Sequence, residues 1–318
     1  MEVALTSDTF SPELIFRGLK GNIIDYIISS YHVNVALILM YYYRPELQVH
    51  CDSYTNGSGK ETFIHTHKLP KDGIYHAKFV LITTTEVCRL IIMTTNITEG
   101  IVKDCMNDYY IITVSKSKLL HSTPFTEKLY AFFDTFQIHL KSALLNYDWR
   151  GIQAQLLVSI PGRVSHGMCW QTMPFLPKKP KGKAIIRTAS VMPGYDIRKV
   201  LHVQDITIEV LPDELLKNKQ INMGLVFLDQ NIGMDETGKL QERYKIVRFD
   251  NKGKPFHYKR YTIEYQGKKI KGTKERKPDT RILVITSANM TRQAWGTGKY
   301  SSVNAELGVA WISKSYFN

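Results

Sequence analysis

Apolar and polar positions divide this chain into short elements of two periodicities. Ser11-Pro12-Glu13 predicts a helix start: a capping serine, proline at the first position and an acid in the first turn. That helix would turn Leu14, Ile15, Leu19 and Ile23 inward, with Gly18 and Gly21 weakening it. Residues 34–41, rich in Val, Ile, Leu and Tyr, predict a buried strand, and residues 47–50 the next one. The polar, Gly/Ser-rich stretch 52–60 predicts a loop, and 75–83, 88–94 and 109–114 predict three further strands. Residues 126–146 carry Leu129, Phe132, Phe133, Phe136, Leu140 and Leu144 at a spacing that suits one amphipathic helix, its aromatics directed into a core.

The pattern then begins again. A boundary near residues 148–151 splits the chain into halves 1–150 and 151–318, each long enough for its own core. The second half predicts strands at 155–160, 224–228, 244–249, 258–265 and 281–286, and a helix at 211–216 opened by Pro212-Asp213-Glu214. Strands alternating with helices, twice over, predict an α/β protein of two halves packed with similar faces together.

A short motif is repeated with the elements. Tyr75-His76-Ala77-Lys78 is followed by an apolar run ending in Thr95-Asn96-Ile97-Thr98. Phe256-His257-Tyr258-Lys259 is followed by one ending in Ala288-Asn289-Met290-Thr291. In an extended chain, residues two apart share a face, so each His points the same way as its Lys. The Asn closing the next strand can join them. One His-x-Lys arises often by chance; two, each with its Asn, do not.

This arrangement resembles the tyrosyl-DNA phosphodiesterases, the His-Lys-Asn branch of the phospholipase D superfamily. Ser159-Ile160-Pro161-Gly162-Arg163, Ala294-Trp295-Gly296 and Asn304-Ala305-Glu306-Leu307-Gly308 are similar to further segments of that family, so the likeness runs from about Phe10 to Trp311. It implies a duplicated phospholipase D-like fold with one active site on a pseudo-twofold axis. It implies that His76 is the nucleophile, His257 the general acid and base, and Lys78, Lys259, Asn96 and Asn289 the phosphate holders. Glu306 would orient His76. Asn107 falls where the family has Gln beside the acid, Thr291 where Ser is common, and Ser190 at a substrate-contacting Ser. The chain departs from the family at Asn96-Ile97-Thr98-Glu99-Gly100, where the family has Asn-Leu-x-x-x-Asp-Trp. Thr83 and Glu264 stand where the ordinary phospholipase D motif places Asp, which favours the His-Lys-Asn branch.

Such a constellation supports a definite chemistry. An unprotonated imidazole attacks phosphorus, and a protonated one opposite donates to the leaving oxygen and then deprotonates water. Two lysines and two asparagines hold the non-bridging oxygens. The lysines supply the positive charge, so neither cofactor nor metal is expected, and no acidic cluster or Cys/His spacing suggests one.

Charge sharpens the choice of substrate. Of the net +13, residues 1–150 contribute −1 (14 Lys/Arg, 15 Asp/Glu) and residues 151–318 contribute +14 (28 and 14). An excess confined to one half suits a polyanion. The basic stretches 177–183 and 266–278, with Lys268 and Lys269, are candidates for tracking a phosphate backbone. Tyr195, Tyr258 and Tyr261 are candidates for stacking an unpaired base. The resemblance implies DNA with a blocked 3′ end, single-stranded or nicked, a topoisomerase peptide as leaving group, a monomer and nuclear residence. A lipid or RNA phosphodiesterase and a catalytically silent nucleic-acid binder are the rival readings. Cys51, Cys88, Cys105 and Cys169 form no CxxC pair, which favours reduced thiols, and the apolar run at 33–43 is too short to span a bilayer.

Overall fold

In the computed structural model the described residues are 1–7, 9–70, 73–99, 102, 105–161, 182–188, 197–201, 203–210, 245–248, 257–267, 280–290, 292–295 and 304–314. They form two seven-stranded sheets. The first contains β1 (Glu2–Ser7), β2 (Ile23–Asn34), β3 (Leu47–Thr55), β4 (Ile64–Thr66), β5 (Phe79–Thr84), β6 (Val87–Met93) and β7 (Asn107–Ser115). The second contains β8 (Gln155–Ser159), β9 (Gly182–Thr188), β10 (Asp205–Val210), β11 (Lys245–Arg248), β12 (Lys259–Tyr265), β13 (Thr280–Thr286) and β14 (Glu306–Lys314).

The duplication seen in the motifs is a duplication of topology. The first sheet runs β1-β7-β6-β5-β2-β3-β4 and the second β8-β14-β13-β12-β9-β10-β11. In each, the first four pairings are antiparallel. The last two are parallel. Each His-x-Lys therefore leads into the same strand of its sheet, β5 or β12, and each Asn follows the same next strand, β6 or β13.

Alternation along the strands builds three apolar layers. Tyr26, Ile28, Val80 and Ile82 pack on the outer face of the first sheet, and Ile282, Val284 and Ala310 on the outer face of the second. Their neighbours Ile27, Phe79 and Leu81, with Ile285, Leu307 and Val309, meet in one middle core that both sheets share. Into it the helix Pro124–Thr135 inserts Leu129, Phe132 and Phe133. Thr123 caps that helix reciprocally with Thr126.

Several expectations are corrected. Ser11 does cap a helix, but it covers only Pro12–Phe16; Gly18 at φ +67° and Gly21 at φ +80° turn the chain, and Ile23 opens β2 instead. The buried strand placed at 34–41 lies earlier, at Ile23–Asn34. Asn34 ends it by accepting from the Ala36 amide (3.0 Å), and Val35–Leu37 and Ile38–Tyr42 form helical turns. Periodicity alone does not separate a short apolar strand from a buried helical segment. The helix read at 126–146 stops at Thr135, with Gln137 at φ +51°; Phe136 reaches the same core from just beyond its end and Leu144 from a separate 3-10 turn, Leu144–Asn146. The elements read at 211–216 and 224–228 lie outside the described residues, as do 177–181 and 268–278 of the basic stretches. Cys51, Cys88 and Cys105 are buried. No helix among the described residues is long and apolar enough to cross a membrane.

Because the middle core belongs to both sheets, Phe132→Ala should cost about 3–5 kcal/mol. Urea unfolding followed by fluorescence and by circular dichroism should lower one midpoint shared by both probes; separate transitions would mean that the halves are held independently.

Candidate active site

The two His-x-Lys segments meet at the ends of the sheets, each tied to the opposite half. The His76 amide donates to Ala305 O (2.9 Å), and the His257 amide to Met106 O (2.8 Å). These are equivalent bonds, because Ala305 and Met106 directly precede the equivalent strands β14 and β7. Glu306 and Asn107, the first residues of those strands, are thus pseudo-symmetric mates. So are Ser287 and Thr94: their amides donate to Leu307 O (2.9 Å) and Asp108 O (3.1 Å). Their hydroxyls accept from the Leu307 and Asp108 amides, each at 3.0 Å.

At this point the copies diverge. His76 Nδ1 donates to Glu306 Oε2 (2.9 Å), within a wholly buried pair. Ser287 Oγ (2.5 Å) and Asn304 Nδ2 (3.2 Å) also donate to that carboxylate. Burial pushes Glu306 upward, but His76, Lys78 and Ser287 outweigh it and hold the acid below its ordinary range. On the other side His257 Nδ1 donates to the main-chain Thr94 O (2.6 Å). Asn107 Nδ2 turns away to Cys105 O (2.8 Å), and its Oδ1 lies 3.5 Å from Thr94 Oγ1. One imidazole leans on a carboxylate and the other on a carbonyl.

Both lysines are fully buried, and among the described residues no carboxylate is hydrogen-bonded to either ammonium. Lys78 Nζ donates to His76 O (2.9 Å). Lys259 Nζ lies 3.0 Å from both ring nitrogens of His257 and 3.4 Å from Thr94 O. Burial lowers Lys78 to about 7, with Glu306 opposing, and lowers Lys259 well below its ordinary range, helped by Lys78. Burial likewise lowers His76 to about 4, partly offset by Glu306, and His257 well below the usual histidine value, assisted by Lys259, Lys78 and His76. Neutral His76, with its proton on Nδ1, leaves an Nε2 lone pair. The four basic groups sense one another, and Glu306 is the carboxylate hydrogen-bonded among them.

Asn96 and Asn289 stand at the ends of β6 and β13; Asn96 Oδ1 is buried with no hydrogen-bond partner, and Asn289 Oδ1 lies 3.5 Å from Thr188 Oγ1. The half-buried Tyr31, at the end of β2, has its ring 5.2 Å from that of His76 and 5.7 Å from Lys78 Nζ. Sequence reasoning missed Tyr31 and Thr94. The signal for Tyr31 was the polar run Ser29-Ser30-Tyr31-His32 closing an apolar strand; Thr94, acting through its carbonyl, left none.

Two stacking candidates are corrected. Tyr258 is buried, with the guanidinium carbons of Arg187 (6.0 Å) and Arg260 (5.8 Å) over its ring. Tyr261 is buried in the outer core; its hydroxyl donates to Ala288 O (3.0 Å) and accepts from Trp295 Nε1 (3.1 Å). Neither ring is open to a base. Asn107 is wholly buried, with its amide directed to Cys105 O. Ser190, Tyr195, Lys268, Lys269 and Thr291 lie outside the described residues. Among the described residues no group of three or more His, Cys, Asp or Glu is placed to hold a metal ion.

Comparison with known proteins bears on the family and the fold. The family described as tyrosyl-DNA phosphodiesterase matches residues 24–173. No curated protein matches the chain. The solved yeast tyrosyl-DNA phosphodiesterase is 12% identical, with a TM-score of 0.68, over 99% of this chain and 90% of that one. A histidine-to-alanine variant of the yeast enzyme gives 13%, 0.69, 99% and 91%. A histidine-to-arginine variant gives 13%, 0.70, 98% and 90%. At this identity the structures establish the shared fold.

The electrostatics predict how an oxyanion binds. Lys78 is depressed, so it is protonated below about 7 and neutral above. Sulfate, whose own charge is constant in this range, should lose affinity as pH rises through about 7, by up to about tenfold per unit for one proton. Titration calorimetry from about pH 6 to about pH 9 would measure this; a flat affinity would mean that Lys78 keeps its proton throughout.

Proposed function

We propose that this chain, a member of the tyrosyl-DNA phosphodiesterase family, hydrolyses the bond between a tyrosyl oxygen and a 3′ phosphate of DNA through a phosphohistidine at His76. The observation that carries the division of labour is the unequal support of two equivalent histidines, a carboxylate at His76 and a carbonyl at His257. The hydrogen bond to Glu306 fixes the Nδ1 tautomer of His76, aims Nε2 and stabilises the positive charge that the ring gains on attack.

The reaction proceeds in two balanced steps. The His76 Nε2 lone pair attacks phosphorus, and the phosphorus–oxygen bond to tyrosine breaks. The departing oxygen takes a proton from His257 Nε2. His257 then removes a proton from water; the water oxygen attacks phosphorus, and the phosphorus–nitrogen bond breaks. A 3′ phosphate is released and the electron pair returns to His76. Lys78, Lys259, Asn96 and Asn289 hold the non-bridging oxygens throughout.

Protonation follows from the charge count. Four buried basic groups crowd one another around Glu306, so the site disfavours further positive charge. A phosphodiester brings the missing negative charge, which raises the affinity of His257 and the lysines for protons. Binding thereby prepares the acid that the first step consumes.

The substrate is read as a single-stranded or nicked DNA 3′ end bearing a topoisomerase-derived peptide, and the molecule as a monomer with halves 1–150 and 151–318. The net +14 of residues 151–318 supports a polyanionic partner. Tyr31, beside His76 and half-exposed, is a further aromatic wall for the substrate.

A 3′-phosphotyrosyl single-stranded oligonucleotide should be cleaved in excess chelator, because lysines offset the phosphate charge. Inactivity in chelator reversed by magnesium would reject the scheme, and turnover of a phospholipid or RNA but not this oligonucleotide would reassign the substrate. His76→Ala should abolish turnover and form no covalent species. His257→Asn should accumulate an SDS-stable, acid-labile adduct at His76, because tyrosyl phenolate leaves with less help than an alkoxide while the adduct lacks its base. Adduct hydrolysis should slow roughly 10²–10⁴-fold. An adduct mapped to His257 would reverse the roles.

A further inference from the structure

We propose that the Asp108–Arg260 ion pair is a positioning device that seats the Thr94 carbonyl against His257. It deepens the functional reading above and rests on it for the reaction step concerned.

The pair closes a ring of contacts around the second His-x-Lys segment. Asp108, in β7, is wholly buried. Its Oδ2 accepts from Arg260 Nε (3.0 Å) and its Oδ1 from Arg260 Nη2 and from Thr6 Oγ1 (2.8 Å). Arg260 Nη2 also donates to Thr6 Oγ1 (2.8 Å), so β1, β7 and β12 are gripped together across the two sheets. Arg260 directly follows Lys259. Asp108 is held through its main chain to Thr94, at 3.1 Å and 3.0 Å. Thr94 O in turn accepts from His257 Nδ1 at 2.6 Å. The loop from Arg260 to Asp108, to Thr94, to His257 and back along the strand thus fixes the distance between ring and carbonyl.

Pseudo-symmetry shows that this device belongs to one half-site alone. The mates of Arg260 and Asp108 are Phe79, directly after Lys78, and Leu307, directly after Glu306. Both are apolar and lie in the middle core. The His76 side is therefore joined by hydrocarbon and oriented by the Glu306 side chain. The His257 side has no carboxylate on the ring; its acceptor is a main-chain atom that goes wherever β7 goes. A polar clamp with defined bond directions joins the strands here, where the other half uses an apolar contact.

The role is positioning, since the hydrogen bonds of Asp108 and Arg260 go to each other, to Thr6 and to Thr94 rather than to the His257 ring. His257 Nδ1–H should give a slowly exchanging, downfield imidazole proton in the substrate-free protein, assigned by its loss in His257→Asn. Arg260→Ala should weaken or abolish that signal. On the phosphotyrosyl oligonucleotide it should slow hydrolysis of the covalent adduct at least about tenfold more than adduct formation, as expected when the base is displaced. The paired change Asp108→Leu with Arg260→Phe copies the apolar mates of the other half and removes both charges together, which buried pairs tolerate better than loss of one. It should restore the proton signal and the balance of the two steps. If Arg260→Ala does not fold, Arg260→Lys, which keeps the charge but cannot bridge both carboxylate oxygens, takes its place with the same expectation in weaker form.

Retention of the proton signal and of the step ratio in the folded single variant would overturn the proposal. So would a folded paired variant that restores neither. A wild-type protein inert toward the oligonucleotide would instead overturn the functional reading, while the imidazole proton still decides whether the clamp seats His257.

Discussion

Burying ammonium and imidazole groups without matching carboxylates is the constraint on which the rest of this structure depends. Removing an ammonium from water costs several kcal/mol even after relaxation, and one carboxylate cannot offset two lysines and two histidines. The protein answers with main-chain carbonyls: His76 O receives Lys78, and Thr94 O receives His257 and Lys259. Carbonyls are dipoles, so they reduce the penalty without cancelling the charge. With both lysines and both histidines lowered by burial, the site readily gives up protons, and an anionic ligand would favour their return.

Two copies of one topology would, unmodified, present two equal histidines. The proposed chemistry requires unequal ones, and the structure introduces a difference at a few equivalent positions. Glu306 faces Asn107, Ser287 faces Thr94, Leu307 faces Asp108, and Phe79 faces Arg260 across the pseudo-twofold relation. The first pair decides which ring gains a carboxylate. The last two decide whether hydrocarbon or an ion pair joins the sheets beside each ring. The backbone bonds around both rings stay the same, with His76 to Ala305 and His257 to Met106 nearly equal in length. Asymmetry is carried by side chains on a symmetric frame.

That division explains what was legible in the sequence. The repeated His-x-Lys and Asn were readable because extended chain has a fixed period and the copies agree. Glu306 was readable only through likeness to a family, since no local pattern tells a buried acid at a strand start from an exposed one. The helix at Pro124–Thr135 was found but overextended, because Phe136, just past its end, and Leu144, in a separate 3-10 turn, fill the core as well as a continued helix would. Residues 34–41 were assigned to a strand because a continuous apolar run carries no period, and the cap by Asn34 was the overlooked stop signal. Tyr258 and Tyr261 illustrate a different limit. A tyrosine suited to stacking a base is equally suited to a core or to two guanidiniums, and only tertiary placement decides.

Neither half holds a working histidine by itself. His76 comes from the first half and is oriented by Glu306 and Ala305 of the second. His257 comes from the second and is held by Thr94 and Met106 of the first. Each ring is therefore correctly placed only when the sheets are docked, and docking is driven by the middle core of Phe79, Leu307, Phe132 and their neighbours. The apolar layer supplies most of the free energy of that docking but little directional precision, because hydrophobic burial is non-directional. Direction comes from the hydrogen bonds at the strand ends, where the layer stops and the polar groups begin. Core and site thus divide the work, with Phe79 and Leu81 of β5 and Leu307 and Val309 of β14 holding the halves together and the segments that lead into β5 and β12 placing the two rings.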